Sequence, residues 1–514
     1  MNSNEDYLFW RLANYFVTEH NYRLLQMKGN DWELWLENTS IKGAQIIRLL
    51  RHNVDWSNWM QRDIEAIASI AERYRKRYLR GELQMVNVYL TPNPPVDDYQ
   101  FRIEKAYQVP GSKKTNVQTV LVQSSKLEDT IAQLSDFFTQ PIPITMEKDY
   151  DSQEILTLKQ ATLEFLVKKA KQEKAIFHNG KPRFTYVFLL LQIAVFILME
   201  FMGSSTNSAT LIKFGAKFNP LMLEGEWWRF FTPIFLHIGF LHLFMNSLAL
   251  FYMGPLVERI FGNVRFMFIY LLAGFFGTLA SFVTSPNMSA GASGAIFGCF
   301  GALLYFGVMY PKLFFRTMGM NILFVIGLNL VFGFTVQGID NAGHIGGLVG
   351  GFIAAGITHF PKARKPLLQG LFTIISAALI FFGLQYGYGE STRVLDAHSS
   401  FVLAQMYVEK EDYDQAYTVL KDVKASGDEK ADLLFLLSYV EIQKGMTDEA
   451  EQHLLKVTDI DPTFHEAFYN LALLNINNHE LTKAKENAKA ASKIEPDKKE
   501  YKNLLKEIDG YLTQ

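Results

Sequence analysis

Cysteine is almost absent: the 514-residue chain holds one, Cys299. A single thiol excludes an internal disulfide framework and a multi-cysteine zinc site. Net charge is scarce too, −2 from 50 Lys and Arg against 52 Asp and Glu. No polyanion is therefore implied as a partner, and nucleic acid is not expected. The opening residues, MNSNEDYLFWRLANYF, lack a basic start followed by an apolar core, so no cleavable signal peptide is expected. What the chain has in plenty is apolar surface. Hydrophobic residues make up 49%, with 42 Phe, and they crowd between about 184 and 389 with charge-rich flanks. Length suggests roughly two to four domains.

Residues 1–178 read as a soluble α/β domain. LFWRLANYFVTEHNYRLL has helical apolar spacing, and WMQRDIEAIASIAERYRKRYLRG predicts a helix ending at Gly81. WELWLENT, LQMVNVYLT and VQTVLVQS alternate and are rich in β-formers, as strands are. TPNPPVDD is a loop by its prolines. LKQATLEFLVKKAKQEK predicts a basic helix leading to the apolar region. Asp and Glu are plentiful here and leave room for a divalent cation, but no ligand spacing marks a site. His20, His52 and His178 read as ordinary surface or core residues.

Residues 179–390 carry seven runs of bilayer length, about 20 residues each. They begin near Phe184, His237, Val264, Ala292, Thr317, Asn341 and Leu367. Basic residues set the orientation. Lys168, Lys169, Lys171, Lys174, Lys181 and Arg183 precede the first run; Arg259 and Arg265 lie between the second and third. Lys312 and Arg316 follow the fourth run, and Lys362, Arg364 and Lys365 follow the sixth. The connections 284–291 and 337–340 hold no Lys or Arg. The basic connections then share the cytoplasmic side, with the N-terminus inside and the C-terminal region outside.

Residues 391–514 repeat with a period of 34: Leu403, Leu437, Leu471; Ala416, Ala450, Ala484; Pro462, Pro496. Small residues where helices cross and a closing proline resemble two or three tetratricopeptide repeats. Such repeats bind proteins or peptides on a concave face. The period implies an all-α domain.

Polar and ionisable residues inside apolar spans are functional candidates. HIGFLHLFMN opens the second span with His237, His242 and Asn246; Glu258 closes it. SAGASGAIFG surrounds Ser293, and NAGHIGGLVGG carries His344. The second, fourth and sixth spans all enter from the outer side, so these groups can meet at similar depth. Gly294 and Gly298 form one small-residue stripe; Gly343, Gly347 and Gly351 form another. Facing stripes let backbones approach closely, bringing Ser293 within reach of His344. A serine hydroxyl needs a base to become a nucleophile, and His344 is the base at that level. Its second role is acid to the leaving amine. The oxyanion needs fixed donors; His242, Asn246 and the Ser293 N–H are candidates. No carboxylate lies at the right depth to orient His344, which points to a dyad. A G-x-S-x-G hydrolase elbow is excluded, since position 295 is Ala and no strand precedes. Cys299 reads as a packing residue.

HxxxxHxxxN at His237, His242 and Asn246, GASGAIFG around Ser293, GHIGGLVGG around His344 and the pair Trp228-Arg229 resemble the rhomboid intramembrane serine proteases over about 180–360. The resemblance implies a six-helix core, here with a seventh span, and a Ser293–His344 dyad. It maps the oxyanion residues to His242 and Asn246 and makes Arg229 and Glu258 structural; Trp228, His237, Gly291, Phe297, Gly347 and Gly351 join them as structural or gating candidates, with Gly291 leaving space for a peptide carbonyl beside Ser293. It also implies a first connection half-embedded in the outer leaflet, suited to Trp227 and Trp228, and no catalytic cofactor. Two positions depart from the family pattern. Phe297 stands where Tyr is common, so it can stack on His344 without donating a hydrogen bond, and Gly343 stands where Ala is common.

The expected architecture is thus a polytopic α-helical membrane protein with a soluble N-terminal α/β domain and outer helical repeats. The resemblance implies an endopeptidase in a bacterial cell membrane, cutting transmembrane proteins near the outer face, in a role such as quality control. The alternative is an adaptor that binds membrane clients without cutting them, or does both. A transporter is disfavoured, since paired acidic residues and inverted repeats are missing.

Overall fold

The computed structural model describes all residues except 1–2, 30–31, 79–80, 139–140, 146–149, 337, 362, 390–396, 426–429 and 513–514. Lys362, Gln337 and the 390/391 boundary fall outside the described residues. The chain forms two compact units, Met1–Phe177 and His178–Gln514.

The first unit is a six-stranded sheet with helices on both faces. It contains α1 (Ser3–Thr18), β1 (Arg23–Lys28), β2 (Glu33–Glu37), β3 (Ile46–Arg51), α2 (Ser57–Tyr78), β4 (Leu83–Thr91), α3 (Gln100–Ile103), β5 (Tyr107–Gln108), β6 (Thr115–Gln123), α4 (Leu127–Ser135) and α5 (Ser152–Ala175). The strand order is β1-β2-β3-β4-β6-β5. The pairs β3–β4 and β4–β6 are parallel and the rest antiparallel. Strands β2, β4 and β6 fall where alternation predicts them. The first helix is shorter than its apolar spacing suggests. Asn21 takes a left-handed φ of 56°, a common way to end a helix, and Arg23–Leu25 turn into β1. The basic helix α5 is part of this core rather than a mere lead to the apolar region. Its Leu166 is buried with Leu8, Phe16 and Leu134, and its Thr162 hydroxyl accepts from Asn14 at 3.1 Å. Arg48 is buried on the sheet, held by Glu33 and Asp63 at 2.6 Å each.

The second unit holds α6 (Phe184–Met202), α7 (Ser208–Lys213), α8 (Asn219–Leu223), α9 (Gly239–Phe261), α10 (Asn263–Thr284), α11 (Ser293–Met309), α12 (Pro311–Thr317), α13 (Gly319–Thr335), α14 (Asn341–Thr358) and α15 (Pro366–Gly387). A helix stands at each of the seven expected runs. Among the described residues, four are long and apolar enough to cross a bilayer: α6, α9, α10 and α15. The pair α12–α13 is bent by 73° and counts as a fifth if taken as one span, while α11 is apolar but short, at 17 residues. It is short because its first turn starts at Ser293, after a loop that is itself buried at Ala290 and Ala292. Helices α10, α11 and α14 form the centre. Burial takes in 67% of the apolar window of α10 but only 6% of that of α15. The outer helices turn Phe and Leu side chains outward, as lipid-facing helices do.

Helix pairs follow: α16 (Ala397–Glu409) with α17 (Tyr413–Ala425), α18 (Ala431–Gln443) with α19 (Thr447–Ile460), α20 (His465–Asn477) with α21 (Leu481–Ile494), then α22 (Lys499–Leu512). Ala416, Ala450 and Ala484 are fully buried where partners cross. This is the 34-residue period seen as packing. The first pair is seated on the segment after α6: Leu403 is buried with Ile212, Phe218 and Leu221, and the Tyr407 hydroxyl donates to Glu224 at 2.5 Å. Burial pushes the Tyr407 phenol up, and the bond to Glu224 pushes the same way.

The centre sets a sharp expectation. A Cβ at Gly351 would collide with the Gly298 carbonyl, which is backbone and cannot swing aside. Gly351→Val should cost about 1–3 kcal/mol, the usual penalty of overpacking. It should lower the thermal midpoint in detergent, while Gly370→Val, at an open position, leaves it in place.

Candidate active site

Five glycines on α14, at 343, 346, 347, 350 and 351, press against α11 and α10. A Cβ at Gly347 would meet the Gly294 carbonyl, and one at Gly277 of α10 would lie 2.8 Å from the Gly343 carbonyl. The helices touch backbone to backbone, which only side-chain-free positions allow. This contact sets Ser293, first residue of α11, and His344, in the first turn of α14, at one end of the bundle. The Phe297 ring stacks on His344 at 4.4 Å, with planes 8° apart. Asp340 caps α14, accepting from the Gly343 N–H at 2.8 Å. The Nδ1 of His344 is buried without a hydrogen-bond partner among the described residues. In this resting geometry the Ser293 hydroxyl makes no hydrogen bond to His344; catalytic bonds often tighten only around substrate.

The SAGA run before Ser293 is held from outside its own helix. Its Gly291 N–H donates to the Pro233 carbonyl at 2.9 Å, and Ser289 pairs through its backbone with Lys217 in both directions, at 2.9 and 3.0 Å. Lys217 is buried, and its Nζ donates to the carbonyls of Ser285 at 2.5 Å and Asn287 at 2.9 Å. The run reaches Ser293 with Gly291 at φ 147°. A Cβ there would lie 2.8 Å from His242 Cε1, 3.0 Å from His242 Nε2 and 3.8 Å from Ser293 Oγ. A side chain there would strike His242, so only glycine lets the run pass, and the narrow gap between His242 and Ser293 Oγ lies beside its bare backbone.

His242 has a defined orientation. Its Nδ1 accepts from the Ile238 N–H at 3.3 Å, which assigns the ring proton to Nε2, the nitrogen facing the gap. Asn246 sits one turn on, buried, and donates to the His242 carbonyl at 3.0 Å. His237 is fully buried, edge-on to His242 at 5.3 Å, with no partner on either nitrogen among the described residues. The first-turn N–H groups of α11 have no partner within their helix. The gap is therefore bordered by His242 and the Ser293 hydroxyl, with an imidazole on the adjoining helix. That arrangement suits acyl transfer with oxyanion stabilisation.

A family model described as the rhomboid domain matches residues 224–361, and one described as a tetratricopeptide repeat matches 431–464. The chain is 39% identical over 477 residues to the rhomboid protease GluP of Bacillus subtilis (strain 168), covering 91% of each. The chain belongs to the rhomboid family of intramembrane serine proteases. It is also 30% identical over 273 residues to the rhomboid protease AarA of Providencia stuartii, covering 48% of this chain and 96% of that one. A putative rhomboid protease of B. subtilis, YdcA, shares 35% over 150 residues, 29% of this chain and 75% of its own.

In this rhomboid the residues away from the gap have structural work. Glu258, fully buried, caps α6: it accepts from the backbone N–H groups of Arg183, Phe184 and Thr185 at 2.9, 2.9 and 3.1 Å. The Thr185 hydroxyl and Asn263 amide add to it at 2.8 and 2.6 Å. Arg229 ties the first connection together through Glu226 at 2.6 Å and the carbonyls of Ile212 and Ala216 at 2.9 and 2.8 Å. Trp227 and Trp228 remain exposed. Charge placement read from sequence overlooked Lys213, Lys217 and Arg229, which lie in the first connection. Two of these are buried and serve the backbone, so they do not act as free charges. Pro233 and Asp340 were likewise not singled out; a Pro and an Asp in loops carry no signal until their partners are known. Among the described residues, no group of three or more His, Cys, Asp or Glu comes together as a metal site.

Gly291 offers a direct test of the gap. Gly291→Ala should displace His242 and lower kcat on a single-span substrate by about 10²-fold, the scale of one lost oxyanion donor. The circular dichroism should stay that of the parent protein.

Proposed function

We propose that Ser293 and His344 form the catalytic dyad of an endopeptidase that cuts transmembrane segments near the outer face. The observation that carries this is the backbone-tight contact of α11 and α14, with Ser293 and His344 each in the first turn of its helix and His242 beside Ser293 at Gly291. Ser293 Oγ attacks the scissile carbonyl carbon while His344 takes the hydroxyl proton. The carbonyl oxygen becomes an oxyanion in the gap at Gly291, where His242 Nε2–H, the Asn246 amide and the Ser293 N–H are the donors. His344 then gives its proton to the leaving amine as the C–N bond breaks. Water, deprotonated by His344, releases the acyl group and restores the serine. The scheme uses no cofactor.

Outer-face cleavage is supported by charge. The end of the bundle opposite Ser293 carries Arg183, Arg259, Arg265 and Lys365, with Arg265 donating to the Thr358 carbonyl at 3.2 Å. The repeats seat on the other end, beside the loop that leads to Ser293. This fits an N-terminus in the cytoplasm and repeats outside a bacterial cell membrane. Soluble domains attached to the membrane bundle fit a role in membrane-protein quality control, with clients recognised outside the bilayer and cut within it.

Ser293→Ala and His344→Ala should each abolish cleavage of a single-span substrate in membranes, with substrate still co-purifying. Continued cleavage by Ser293→Ala would sink the dyad, and full cellular complementation by it would favour the adaptor role. Topology can be read separately. Cys299 is buried, so a cysteine introduced by Glu500→Cys should react with an impermeant maleimide in intact cells. One introduced by Glu19→Cys should not; the reverse pattern would invert the orientation.

A further inference from the structure

A cavity of about 940 Å³ opens where the repeats meet the membrane helices. One wall comes from the first helices of two successive pairs, with Phe401 and Met406 on α16 and Leu436 and Tyr439 on α18. The facing wall is Thr206–Ala209, the end of the loop after α6 and the start of α7. The volume lies within the range of about 300–1,000 Å³ typical of ligand sites. Its charged groups, Glu409, Asp432 and Lys430, are of mixed sign, so the apolar wall sets what binds.

The cavity has a fixed frame. Helix α16 is seated on the first connection by Leu403 and by the Tyr407–Glu224 hydrogen bond. The cavity's Thr206 wall is joined by contacts to the site around Ser293. Thr206 packs beside Gly239, whose Cβ would lie 3.5 Å from the Thr206 methyl. The Gly239 N–H donates to the Ser205 hydroxyl at 3.2 Å. Gly239 begins α9, and the preceding Ile238 N–H holds the His242 ring. From the cavity wall to His242 there is thus one short run of touching residues.

We propose that this cavity is a second binding site for the substrate itself. It takes the extended segment just outside the membrane, through a large apolar side chain, while the attached transmembrane helix lies at Ser293. The facing wall belongs to the segment between α6 and α9 and touches the start of α9, the helix that carries His242, which ties the occupant to the substrate. This rests on the protease reading above and adds where the substrate is selected. Such a site acts on binding, and so appears in KM rather than kcat.

The test uses the full chain in liposomes and two single-span substrates. One has an outer flank containing Phe and Leu; in the other that flank is Gly and Ser. The parent protein should cut the first with a five- to tenfold lower KM at equal kcat. Phe401→Glu and Leu436→Glu should each erase that difference. Equal KM values for the two substrates, or variants that keep the preference, would overturn the second site while leaving the dyad standing. No cleavage of either substrate by the parent protein would overturn the protease reading instead. A photo-crosslinker at Leu436 in a Ser293→Ala background guards against misfolding of the charged variants. Adducts should map to the apolar flank; adducts only to lipid, or to a second copy of the chain, would count against the proposal.

Discussion

The site depends on one contact: the glycine faces of α11 and α14 lying backbone to backbone. Glycine at 294, 298, 347 and 351 removes the bulk that normally keeps helices 8–10 Å apart. In a bilayer, where apolar surface gains little by leaving lipid, such close packing is a main source of helix association. The same contact that holds the centre together also fixes the relative depth of a hydroxyl and an imidazole. Stability and chemistry here share their atoms. The Phe297 ring, stacked on His344, extends this by limiting how the imidazole can turn.

The second constraint lies outside the helices. The loop before Ser293 is braced by the first connection, through Pro233, Lys217 and the paired backbone at Ser289. A cation with a buried ammonium is costly unless its protons are bonded, and here carbonyls from another loop take them. The first connection is also the seat of the repeats. One segment therefore braces the serine loop on one side and carries the helical repeats on the other.

Much of this was legible in the sequence because the signals are local. Apolar runs locate the helices, the period of 34 residues locates the repeats, and the spacing of His237, His242 and Asn246 sets groups on one helical face. Strands β2, β4 and β6 declared themselves by alternation. What was hidden depends on partners far along the chain. Nothing local says that IIRLLR at β3 is a buried central strand, since its Arg48 is tolerable only with Glu33 and Asp63 in place. Nothing local ends α1 at Thr18, because the apolar spacing runs on past the left-handed Asn21. The role of Lys217 is invisible until its acceptors, 68 and 70 residues away, come to it. The short α11 and the bent α12–α13 pair likewise follow from how loops enter the bundle, which hydropathy does not record.

The cap that Glu258 places on α6 has a consequence for biosynthesis. The first span leaves the ribosome with its opening N–H groups unpaired, as any helix start does. The carboxylate that pairs with them arrives 73 to 75 residues later, at the end of the second span. Until then α6 has no protein partner for those donors, and they must stay within reach of water or headgroups. The smallest piece of this membrane bundle that is complete in its own polar groups at that end is therefore the hairpin of its first two spans. The order of synthesis and the order of satisfaction coincide there, with the second helix finishing the first.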